Sequence, residues 1–128
     1  MTPEERESKI ASYSRAYETL IAGVRQFPEE MWDFRDEHGC WSIREHLVHI
    51  ADSEVNSYIR CRRFIGEPGQ PLMAYDENAW AASLGYSQQD PRNAIELFRC
   101  CAIRPVPSSR LCRKTLGPTS ATILKTAT

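Results

Sequence analysis

At 128 residues the chain is long enough for one domain with a real core and too short for two comfortable ones. Hydrophobic residues make up 41% and charged residues 26%, and no apolar run approaches the roughly 18 residues of a membrane span, so a soluble globular chain with no membrane partner is expected. The net charge of −1 hides an asymmetry: residues 1–98 hold all 17 acids with 10 bases, whereas residues 99–128 hold six bases and no acid.

The acidic, polar start "MTPEERESK" is unlike a signal peptide. Thr2 caps a helix with Pro3 at its first position and Glu5 closing a capping box. Ile10, Tyr13, Tyr17, Leu20, Ile21 and Val24 then recur at three- and four-residue spacing, which predicts one continuous helix to about Gln26. "FPEEMWDFRDEHGC" reads as a loop broken by Pro28 and Gly39.

Ser42 and Glu45 form a second capping box, and no Pro or Gly follows until Gly66, which predicts a helix from Ile43 to about Ile65. At 100° per residue, Ile43, Leu47, Ile50, Tyr58, Cys61 and Ile65 share the face a bundle would bury. His49, Ser53, Asn56 and Arg60 form a separate polar stripe. "GEPGQPLMAY" is a loop, Asp76 caps a short helix containing Trp80, and Asp90 with Pro91 starts a last helix that Pro105 and Pro107 end. Helices without a strand or a repeat imply an all-α bundle.

Five cysteines, Cys40, Cys61, Cys100, Cys101 and Cys112, show no CxxC pair and are odd in number. Free thiols in a cytoplasmic protein are expected, with Cys61 in the core. The histidines carry more chemistry. His38 sits in a polar loop and His46 at the edge of the apolar face, positions that a neighbouring carboxylate commonly satisfies. An HxxH spacing is far weaker than HExxH, and a metal needs about three protein ligands, so spacing alone does not make His49 a ligand.

"GCWSIREHLVHIADSEVNSYIRCRRFI" followed by "AYDENAWAASL" resembles the DinB-like superfamily of bacterial metal-binding four-helix bundles, close to its YfiT-type branch. The likeness rests on Trp41 before the capping Ser42, the His49-Ile50-Ala51-Asp52 core, Asn56, Tyr58 and Arg60, and Tyr75-Asp76-Glu77 with Trp80. It covers about residues 3–98. The resemblance implies that His49 is one of three metal ligands, the other two being an HxxxH pair on the last helix. It implies a divalent metal, zinc or nickel, and a thiol-linked transferase or isomerase chemistry in relatives. Asn56 and Arg60, further along the stripe, would hold an anionic small-molecule substrate, although a solvated or inter-helix role suits them equally.

The chain departs from that pattern because its three histidines include none after His49. A displaced reading frame accounts for both the missing pair and the change of composition. Read one nucleotide out of register from Arg99, "RCCAIRPVPSSRLCRKTLG" permits an amphipathic stretch ending in "LPEDAW", echoing "FPEEMW" earlier, and the leucine across Cys100 and Cys101 is forced. "TILKTA" then permits "HPENG". The expected organisation is therefore an incomplete DinB-like up-and-down bundle over residues 1–104, with its fourth helix missing or replaced by an irregular basic tail over 105–128. The expected function is a metal-dependent transferase or hydrolase, impaired here. The alternative is a non-enzymatic helical module that forms a homodimer through the apolar surface a missing helix exposes. The tail's bases lie scattered among Pro, Ser and Thr, so no nucleic-acid partner is expected.

Overall fold

A computed structural model describes residues 1–102; the tail from 105 to 128, and with it the expected loss of the fourth helix, lies outside the described residues. Helix α1 spans Pro3–Ser14 and α2 spans Ala16–Val24. The Thr2 hydroxyl accepts from the Glu5 amide at 3.2 Å and the Glu5 carboxylate accepts from the Thr2 amide at 2.7 Å, so the capping box forms as predicted. The single helix expected to Gln26 is instead interrupted at Arg15, whose φ of −103° and ψ of 8° leave the helical region. Next to the break the Ser14 hydroxyl donates to the Ala11 carbonyl at 2.9 Å. Such back-bonding competes with the helical ladder and bends it, and apolar spacing does not register it.

A short 3-10 turn, Glu29–Met31, leads by a loop to α3, Ile43–Gly66. Ser42 caps α3, and Glu45 answers by accepting from the Ser42 amide at 2.9 Å. Glu45 is only 4% exposed, and Arg35 pairs with its carboxylate, which supplies the countercharge a buried acid needs. Helix α4, Glu77–Ser83, is capped by Asp76, whose carboxylate accepts from the Ala79 amide at 2.9 Å. A second 3-10 turn, Tyr86–Gln88, precedes α5, Pro91–Ala102. The described residues contain only helices and turns, and none of their helices is long and apolar enough to cross a membrane. The all-α architecture expected from the sequence is the one formed.

Val48 and Ala51 of α3, Tyr86, and Ala94 and Phe98 of α5 make the core, with Tyr17, Leu20, Ile50 and Trp80 packed against it. Burying a side chain the size of Phe98 contributes about 2–3 kcal/mol. Leu47 is buried as predicted, but the buried face of α3 is rotated towards Val48 and Ala51, which pack with Ala94 and Phe98 of α5. Ile43, Ile50, Tyr58 and Ile65 are half-buried, and Cys61, expected in the core, is exposed. The Arg44 guanidinium donates to the Gln89 carbonyl at 3.0 Å near the start of both helices, and Val48 and Ala51 meet Ala94 further along. Helices α3 and α5 therefore run in the same direction, joined by the whole of residues 67–90, which departs from the simple up-and-down order expected of the all-α bundle. No residue of α1 or α2 is fully buried; Ile10 is 51% exposed.

Tyr86 is a large side chain with no exposed surface. Its hydroxyl donates to Asp52 Oδ2 at 2.6 Å, which satisfies a buried polar group and fixes the α4–α5 connection to α3. Gly85 precedes it with φ +60° and ψ 55°, a left-handed conformation that a side chain would strain. Tyr13 reaches across from α1 to donate to Glu54, which is buried in α3.

Replacing Tyr86 with Phe should destabilise the protein by about 2 kcal/mol in urea unfolding, since a hydrogen bond to a charged acceptor is lost and Asp52 keeps its desolvation. Burial and the adjacent carboxylates, Glu54 for Tyr13 and Asp52 for Tyr86, push both phenols above the ordinary tyrosine range. A folded-state pKa above the unfolded value means that the stability these groups contribute is complete below about pH 10 and is lost as the pH rises through the folded values. Ultraviolet phenolate titration should show two late-ionising tyrosines, with Tyr13→Phe and Tyr86→Phe each removing one; two ionisations in the ordinary range would contradict the packing described.

Candidate metal and substrate site

The polar stripe of α3 lies under an irregular segment that runs back along the helix. At its far end Arg60 Nε and Nη2 donate to the Met73 carbonyl at 3.1 and 2.5 Å. About two turns nearer the N-terminus, Ser53 Oγ and the Tyr75 hydroxyl lie 2.7 Å apart. Nearer still, His49 Nε2 and Glu77 Oε2 are 3.5 Å apart. The main-chain carbonyl of Met73 and the side chains of Tyr75 and Glu77, the last at the start of α4, thus meet positions 60, 53 and 49 in turn. Tyr75 packs against Trp80 with ring centroids 4.6 Å apart and planes tilted at 42°, and lies 5.9 Å from the Arg60 guanidinium. These contacts hold the segment that delivers Glu77.

His49 is half-buried, with its side chain 20% exposed. Trp41 packs its ring at 64° against the imidazole, centroids 5.1 Å apart, and also contacts Tyr86. Nδ1 is buried and has no hydrogen-bond partner. A buried nitrogen without a partner costs about 1–3 kcal/mol, so the ring is held here at a cost to stability, and Nε2 is the nitrogen that faces the open side. A divalent cation fits this arrangement in donor type, an imidazole nitrogen beside a carboxylate oxygen, but not in donor number. The described residues contain no group of three His, Cys, Asp or Glu side chains arranged around a common point. His46 is exposed on another face, its Nδ1 3.0 Å from the Ser42 carbonyl and its ring edge-on to Trp41. His38 lies in an exposed loop 4.0 Å from Glu37.

The two residues expected to bind substrate lie on the same stripe. Asn56 Nδ2 donates to the Asp52 carbonyl at 2.9 Å, a turn of helix away, leaving its Oδ1 as an acceptor. Arg60 uses two of its five donors on Met73. Residue type and spacing mark the α3 half of this site but not its other half. Tyr75 and Glu77 stand out only as part of a family-like string, and nothing in their spacing connects Tyr75 to Ser53, 22 residues earlier, or Glu77 to His49.

Comparison with known proteins identifies the family. The sequence profile described as the DinB superfamily matches residues 12–123. The "Putative metal-dependent hydrolase YfiT" of Bacillus subtilis is 33% identical over 105 residues, covering 76% of this chain and 58% of that protein. A similarly named protein of Bacillus licheniformis is 28% identical over 100 residues, 78% of this chain and 57% of the relative. The solved structure of B. subtilis YfiT, described as a probable metal-dependent hydrolase with an unusual four-helix bundle topology, superposes with a TM-score of 0.74 at 26% identity, covering 93% of this chain and 66% of YfiT. The chain therefore spans less than two thirds of the length of these relatives. With a profile match over most of its length and the same helical architecture around His49, the chain belongs to the DinB superfamily.

Proposed function

We propose that this chain carries part of the active centre of a metal-dependent hydrolase, with His49 as its metal ligand. The observation that carries the reading is the half-buried imidazole, oriented by Trp41 with one nitrogen enclosed and the other facing a carboxylate. A divalent cation bound there would supply a Lewis acid and a water of lowered pKa. The chain's own groups would do the rest. Trp41 fixes the imidazole plane, Arg60 and Ser53 hold the covering segment through Met73 and Tyr75, and the free Oδ1 of Asn56 with the remaining guanidinium donors of Arg60 would bind an anionic small-molecule substrate. The names of the relatives favour hydrolysis; a thiol-linked transferase using zinc or nickel is the finer alternative, and a cytoplasmic location suits either.

We also propose that the activity is impaired in the sequence as it stands, because a three-imidazole centre needs two histidines besides His49 and the two present, His38 and His46, lie on other surfaces. The alternative reading, an interaction module that forms a homodimer, rests on the exposed apolar residues of α1, Ile10 and Tyr13. The two readings separate on metal. Weak zinc or nickel binding that His49→Ala abolishes, together with loss of any metal-stimulated ester hydrolysis, supports the hydrolase reading. Concentration-dependent self-association with no metal uptake supports the module instead. The displaced-frame account of the tail is tested in the coding DNA: read one base out of register from about codon 99, it should stay open and encode an HxxxH pair, and an early stop codon in that frame would rule the account out.

A further inference from the structure

We draw no further inference here: the strongest candidate, the groove between α3 and α5 lined by Val48, Ala51, Asp52, Asn93, Ala94 and Leu97, is an unpartnered face, and nothing among the described residues shows what covers it.

Discussion

The hydrogen bond from the fully buried Tyr86 to Asp52 is the contact on which the rest of the arrangement depends. Its aromatic ring fills the space between α3 and α5, next to Val48, Ala51, Ala94 and Phe98, while its hydroxyl requires a partner that only the polar side of α3 supplies. One residue therefore joins the apolar core to the polar stripe. By anchoring the end of the α4–α5 connection, it limits where α4 can lie, and so where Glu77 and Trp80 can reach. The left-handed turn at Gly85 aims the tyrosine inwards.

Helix α3 consequently works on two faces. The Val48–Ala51 face is small and apolar and receives α5; the His49–Ser53–Arg60 stripe is polar and receives the segment from Met73 to Glu77. Acids on this helix are buried only where a partner crosses to them, Arg35 to Glu45 and Tyr13 to Glu54. Each such pair fixes an outlying segment to the central helix, since the cost of breaking it is an unpaired buried charge. That is how α1, which buries no residue of its own, is held in register.

Much of this was readable from residues alone. Both capping boxes, the limits of α3, the short helix after Asp76 and the start of α5 follow from local chemistry that each residue carries with it. The break at Arg15 escaped because the apolar spacing runs through it unchanged, while the hydroxyl that competes for the backbone at Ser14 leaves no mark on that spacing. The rotation of the buried face of α3 and the exposure of Cys61 depend on where α5 docks, a long-range fact that a helical wheel does not contain. At the site, the stripe from His49 to Arg60 showed as a periodic pattern, but its cover did not, because the cover is irregular and its pairing partners lie far along the chain.

The common direction of α3 and α5 has a kinetic consequence. Helical bundles built from neighbouring hairpins fold fast because their contacts are local in sequence. Here the ties that define the fold join residues 34, 41 and 45 positions apart, Tyr86 to Asp52, Tyr13 to Glu54 and Arg44 to Gln89. Before any of them forms, the chain must close a long loop and give up its entropy with little local return. Helix α3 is long enough to persist while it waits, so the slow step is the search by which residues 67–90 find its polar side, and a folding chain spends that interval with its small apolar face open to other chains.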